Sequence, residues 1–195
     1  MSSGVANTPI KICSRASLLI GGQAIQSFED GTAESNVAAA MYEDIARAAL
    51  TNTRWRFSTN QAVLNRLVSD PTGRFDAAYQ LPSGFLMVNA VTVNDAPIEY
   101  DIYGSKVFCN ATENDELVCD YVFRAEENTW PPYFVMAVEY MVASMFAVSV
   151  ARDSQLATIM DAKANLQMAQ ARRLHSQQQT TRKLNTSRFI AQRRS

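Results

Sequence analysis

Two hydrophobic periods divide this chain. Apolar residues recur every three or four positions near the two ends, the spacing of one helix face, and alternate in the middle, the spacing of strands. Thr8-Pro9 opens a first helix over Ile10 to Ile20, with proline in its first turn, and Gly21-Gly22 stops it. Ser27 to Thr32 is a polar loop. A second helix runs from about Ala33 to Asn52, with Val37, Met41, Ile45, Ala48 and Ala49 at helical spacing. Thr53 to Ser58 breaks the pattern and carries Trp55 and Phe57, read as core anchors that seal helix ends. Gln61 to Val68 is too short to favour either period, and Asp70-Pro71-Thr72-Gly73 is a turn.

From Tyr79 the character changes. Phe85 to Val93, Ile98 to Tyr103, Lys106 to Cys109 and Glu116 to Arg124 read as strands joined by short polar turns. Consecutive strands with short turns predict an antiparallel meander rather than a βαβ unit. Trp130 is a third core anchor, and Pro131-Pro132 starts a helix over Tyr133 to Ala151 whose only charge is Glu139. Nineteen such residues could nearly span a bilayer. Glu139 and the lack of flanking Lys or Arg clusters favour a central core helix instead. Ala143, Ala147 and Ala151 form a small-residue stripe that admits a close neighbour. After a corner at Asp153-Ser154, a last helix spans Gln155 to Ser176, with Leu156, Ile159, Met160, Leu166 and Leu174 read as its apolar side.

The expected fold is α+β, mainly α: a four-helix bundle with an inserted antiparallel β meander and an extended C-terminal tail. Residues 1–78 form the N-terminal helical pair and linker. Residues 79–126 form the β lobe, 127–176 the second helical pair, and 177–195 a basic tail.

Charge adds what hydropathy does not show. The last 34 residues hold eight Lys or Arg and no Asp or Glu, whereas the preceding 161 hold ten basic and nineteen acidic residues. A formal net charge of −1 thus hides an acidic body and a strongly basic end. Arg182, Lys183, Arg188, Arg193 and Arg194 are spread through polar sequence with Leu184, Phe189 and Ile190 between them. Three readings stand for this tail: a solvated disordered end, a segment that orders on a partner through arginine–carboxylate pairs and small apolar contacts, or a DNA contact.

Candidate chemistry is sparse. His175 is the sole histidine and reads as a surface residue favourable near a helix C-terminus. Glu43-Asp44 point to different sides of a helix, and Asp115-Glu116 read as solvated. No phosphate-binding glycine motif occurs. Cys13, Cys109 and Cys119 lack metal-ligand spacing and read as small buried hydrophobes. MSSGVANTPIK does not resemble a signal peptide. The expectation is a protein without enzymatic activity, metal or cofactor. A hydrolase whose carboxylates meet only in the fold is the least favoured alternative.

The order of these pieces resembles the tail tubular protein A family of short-tailed phages. The resemblance rests on the early Ala-rich helix ending in Ala49-Leu50 followed by Trp55-Arg56-Phe57, the Tyr79-Gln80-Leu81-Pro82 entry to the strands, and the Ile102-Tyr103-Gly104 turn. Trp130-Pro131 before an Ala-rich helix, and a long helix with Ala169, Ala171, Arg172 and Arg173, complete it. It covers about Ile10 to Arg173. The resemblance implies a non-enzymatic virion protein at the head–tail junction, assembled in the host cytoplasm. It implies a ring, usually dodecameric, between the portal protein and the tail nozzle protein, a conduit for double-stranded DNA without specific binding and without a membrane partner. The C-terminal segment, with Arg182, Lys183, Leu184, Arg188, Phe189, Ile190, Arg193 and Arg194, would then reach along the portal. An excess of carboxylates on the channel wall would repel passing phosphates. The alternative is a small binding module that uses its basic tail on nucleic acid or an acidic protein.

Overall fold

The helix boundaries are set by local chemistry that the sequence displays. The computed structural model describes residues 7–69, 71 and 73–177. Helix α1 spans Pro9–Leu19; Thr8 caps it by accepting the Lys11 N–H at 3.3 Å, and Pro9 occupies its first turn. Gly21 then takes φ +80°, and a Cβ on Gly22 would lie 2.5 Å from Ser17 Oγ, so both glycines are needed where the chain leaves the helix. Helix α2 spans Ala33–Thr51 and is capped by Thr32, which accepts the Ser35 N–H at 3.1 Å. Helix α3 spans Pro132–Ser149 with proline in its first turn. Helix α4 spans Ser154–Gln177, and the Asp153 carboxylate accepts the N–H groups of Gln155 and Leu156 at 2.9 and 3.0 Å.

The expected α+β class and the four helices with an antiparallel β insertion are both present. Helix α3 is the hub: α1, α2 and α4 all pack on it, and α4 makes the most extensive contact. Helices α3 and α4 form an antiparallel hairpin, with Ser144 Oγ bonded to the Ala157 carbonyl and Tyr133 beside His175 at the other end. Phe134, Val138, Val142, Ala143, Phe146 and Ala147 of α3 are buried. Each large side chain among them contributes about 1.5–3 kcal/mol by leaving water. Helix α3 is long and apolar enough, by length and composition, to cross a membrane, and half of that span is buried within the protein. Its single charge, Glu139, is paired with Arg15 of α1 at 2.7 Å. Burial pushes the Glu139 carboxyl above its ordinary range, an effect that Arg15 partly offsets.

The β insertion is built from eight strands that run from Thr59 to Phe123, so three of them start ahead of Tyr79. They are β1 Thr59–Val63, β2 Asn65–Arg66, β3 Ala77–Gln80, β4 Phe85–Val93, β5 Ala96–Pro97, β6 Tyr100–Tyr103, β7 Lys106–Cys109 and β8 Leu117–Phe123. Two of their links are tight hairpins. Asn94 and Asp95 both take positive φ between β4 and β5, and Gly104 takes φ +62° between β6 and β7. The strands divide between two antiparallel sheets, ordered β1-β8-β4-β5 and β2-β3-β7-β6. Half of the pairings join strands that are not neighbours in the chain, as when Thr59 faces Val122 and Ala77 faces Cys109. Alternating residues from both sheets, among them Tyr79, Val91, Val107, Leu117 and Cys119, meet in a second core distinct from that of the helices. The three cysteines are buried and unpaired, Cys13 in the helical core and Cys109 and Cys119 in the lobe.

Candidate functional site: the bundle–lobe junction and the outer face of the last helix

Arg54 to Ser58 turns the chain from α2 into the lobe, and this turn is the junction of the two, called the hinge below for its position only. Trp55 is fully buried, donates its indole N–H to the Ala49 carbonyl at 3.0 Å and thereby closes the end of α2. Trp130 does the same for the return from the lobe, donating to the Ala125 carbonyl at 3.0 Å. Between them stands Phe134, edge-on to both, with ring centroids 5.1 Å from Trp55 and 4.9 Å from Trp130. Phe57 stacks on Trp55 at 5.9 Å. The expected anchors Trp55, Phe57 and Trp130 thus converge on one aromatic cluster where the two cores abut.

A polar network flanks this cluster. Arg124, just after β8, bonds Glu43 of α2 through Nε and Nη2 at 2.9–3.1 Å, bonds the Glu127 carboxylate, and lies over the Trp130 ring at 5.4 Å. Tyr42 of α2 donates its hydroxyl to the same Glu127 oxygen at 3.0 Å. Burial raises the Glu43 carboxyl, but hydrogen bonds from Arg124 and Arg47 outweigh this and hold it below its ordinary value. The network pulls the Tyr42 hydroxyl far above its usual range through burial and the nearby Glu127 charge. Arg54 adds a further tie to Asp120 of β8 at 2.5 Å. These contacts tie the lobe to α2 and to the turn that follows it.

His175 is not the surface residue that the sequence reading expects. Only 6% of it is exposed, and its ring meets Trp55 edge-on at 5.2 Å. Nε2 lies 3.3 Å from the Arg56 N–H and 3.2 Å from the Arg54 carbonyl, and Tyr133 Oη stands 3.5 Å from Nδ1. Burial, with help from the Arg56 charge, lowers its pKa and favours the neutral ring. The physical reason for the difference is the helical register. Ala157, Met160, Ala164, Met168, Ala171 and His175 recur at three- and four-residue steps and form the buried face of α4. The last turn of α4 is therefore pinned to the hinge.

The same register overturns the apolar side assigned to α4. Met160 is buried and Leu156 packs at the core margin, but Ile159, Leu166 and Leu174 are 52%, 57% and 46% exposed. Ala157, Ala164 and Ala171, with the flexible Met160 and Met168, form the buried face, and Ile159, Leu166 and Leu174 point outward. Gln155, Ile159, Ala162, Leu166, Ala169 and Arg173 line the outward face, and none carries a negative charge. Arg172 and Arg173 have no ion-pair partner among the described residues.

The expected portal-binding set, Arg182, Lys183, Leu184, Arg188, Phe189, Ile190, Arg193 and Arg194, lies outside the described residues. Among the described residues no group of three or more His, Cys, Asp or Glu is arranged to hold a metal ion. A surface cavity of about 790 Å³ lies on the lobe beside Arg74, Phe75, Tyr103, Lys106 and Phe108. Arg74 sits over the Phe75 ring and is paired with Asp101, so this cavity is aromatic and holds few free charges. Comparison with known proteins finds no family model that matches the chain and no curated protein with significant similarity to it.

Proposed function

We propose that this protein is a structural head-to-tail adaptor of a short-tailed phage virion, similar to tail tubular protein A. It forms a ring between the portal and the tail nozzle and serves as a conduit for genome DNA. The observation that carries this reading is the anchored root of the basic tail. Ala171 and His175 are buried, and His175 Nε2 stands 3.3 Å from the Arg56 N–H, so the last described turn of α4 is held at the junction of bundle and lobe. The sequence beyond that turn carries Arg182, Lys183, Arg188, Arg193 and Arg194 with Leu184, Phe189 and Ile190, groups that can pair with carboxylates and fill small pockets on a partner. The lobe tied to α2 by Arg124 supplies a second rigid end. Deleting Arg182 to Ser195 should abolish binding to the portal and leave ring formation intact; portal binding unchanged by the deletion overturns the role given to the tail.

The exposed Arg172 and Arg173, close in sequence to the tail, favour a second reading, a module that binds nucleic acid. That reading requires affinity for DNA that falls steeply with salt, by about one power of salt concentration per phosphate contacted. An adaptor requires little such affinity and a coaxial complex with portal.

A further inference from the structure

The outer face of the second sheet carries aromatic rings that serve neither core. Ala77, Tyr79, Val107 and Cys109 point into the lobe core, so the residues that alternate with them, Ala78, Lys106 and Phe108, face outward. The strand register sets Asp101 opposite Phe108, and Tyr103 opposite Lys106, on the same outer face. Ala78, with its short side chain, lines a depression there, and the segment ahead of β3 adds Arg74 and Phe75 to its wall. The cavity so formed, about 790 Å³, falls within the roughly 300–1,000 Å³ of small-ligand sites. Phe108 lies 6.4 Å from Phe75 and 5.4 Å from Tyr103 between ring centroids, and none of the three rings is part of either buried cluster. Tyr103 is 57% exposed, so much of its ring is open to a ligand.

A polar group beside these rings offers both donors and acceptors. Asp101 Oδ2 accepts from Arg74 Nη2 and from the Tyr103 hydroxyl, the latter at 3.2 Å. Both bonds fall on one oxygen, which leaves Oδ1 as an acceptor in a side chain that is 36% exposed. Arg74 is 71% exposed and keeps most of its N–H donors. Lys106 adds an exposed ammonium. Three kinds of ligand suit aromatic rings, and the polar group separates them. An apolar side chain would leave the remaining donors and acceptors unmatched at its edge. A nucleic-acid strand needs a track of cations for its phosphates, but Asp101 balances Arg74, and Lys106 is the one unbalanced charge among the described lining residues. A sugar ring has an apolar C–H face for an aromatic surface and hydroxyls that each donate and accept, and it needs no net charge.

We propose that this cavity binds a neutral saccharide, with a sugar ring laid on Tyr103 and its hydroxyls shared between Arg74, Asp101 and Lys106. The site is open and a sugar buries little apolar surface, so a single saccharide binds weakly, with Kd on the order of 1 mM. The site stands or falls separately from the adaptor reading.

Cellobiose, maltose, lactose and diacetylchitobiose, titrated in turn into the isotope-labelled full-length protein, test the site by nuclear magnetic resonance. At least one should give saturable shifts of the Phe75, Tyr103 and Phe108 amide signals. Tyr103→Ala removes a surface ring and should weaken that binding by roughly tenfold. Tyr103→Phe keeps the ring, loses the hydroxyl and should weaken it less. Tryptophan fluorescence matching the wild type shows that both variants fold. No shift with any of the four sugars overturns the proposal, as does sugar binding that Tyr103→Ala leaves unchanged. Shifts at these residues with a single-stranded thymidine oligonucleotide, and none with the sugars, assign the cavity to nucleic acid and overturn it too.

Discussion

Replacing Arg124 with methionine should separate the lobe from the bundle energetically. Arg124 is the single cation that serves both Glu43 and Glu127. The Glu127 side chain is 10% exposed, and without Arg124 it keeps only the Tyr42 hydroxyl as a side-chain partner among the described residues. Breaking a buried pair by removing one partner costs about 3–5 kcal/mol. Glu43 is half exposed and Arg47 still serves it, so its share of the loss is under about 1 kcal/mol. Solvent at the partly exposed Arg124 moves the total to the lower end, about 3 kcal/mol. Urea unfolding, followed by fluorescence of Trp55 and Trp130 and by far-ultraviolet circular dichroism, reads the effect. The two tryptophans report the hinge alone, and the dichroism reports both cores. With a slope of about 3 kcal/mol/M the midpoint falls by about 1 M, and the two transitions, coincident in the wild type, draw apart. Combining Glu127→Gln with Arg124→Met should restore about 1–2 kcal/mol, because the uncharged amide still accepts from Tyr42. A loss under about 1 kcal/mol, or no recovery with glutamine, would refute the account of the junction.

Two further outcomes follow from titration. The lowered pKa of His175 means that the unfolded chain binds a proton before the folded one does, so stability is full above about pH 6.5 and falls as the pH drops through the folded value. His175→Phe keeps the ring contact with Trp55, loses the acceptor of the Arg56 N–H at a cost of about 1 kcal/mol, and flattens this part of the urea midpoint–pH profile; a slope that survives the substitution would assign it to another group. Glu139 has the opposite sign. Its raised pKa means the pairing with a buried charge weakens the fold as the pH rises through the folded value, and full stability is present below the unfolded one. Glu139→Gln, which still accepts from Arg15, should be at least as stable as the wild type at pH 7, with the difference closing as the pH falls through the carboxylate range; a clearly destabilised variant at pH 7 would show that the ion pair outweighs desolvation.

The helices are legible because their ends carry their own signals: Thr8-Pro9, Gly21-Gly22, Thr32, Pro131-Pro132 and Asp153 each act within one turn. Strands β4, β6 and β7 are legible for the same reason, whereas Ala96-Pro97, read as part of a turn, pairs with Thr92 and Val93 as β5. The two-sheet arrangement is not, because β1 gains a partner only when β8, nearly sixty residues later, is in place. Gln61 to Val68 carries no local period of its own and becomes strand through those distant pairings. At α4 the error comes from counting large side chains as core. A helix that approaches its neighbour closely buries alanine, and the regular steps from Ala157 to His175 carry that information in the sequence. Trp55, Phe57 and Trp130 are identifiable as anchors from size and position, yet their convergence on Phe134 and His175 is a product of the tertiary fold.

Electron microscopy of the purified protein, alone and mixed with its candidate portal, tests the central proposal most directly. The adaptor account predicts closed rings, or rings completed on the portal, stacked coaxially with it. Monomers that ignore the portal, together with salt-sensitive binding to DNA, would contradict it.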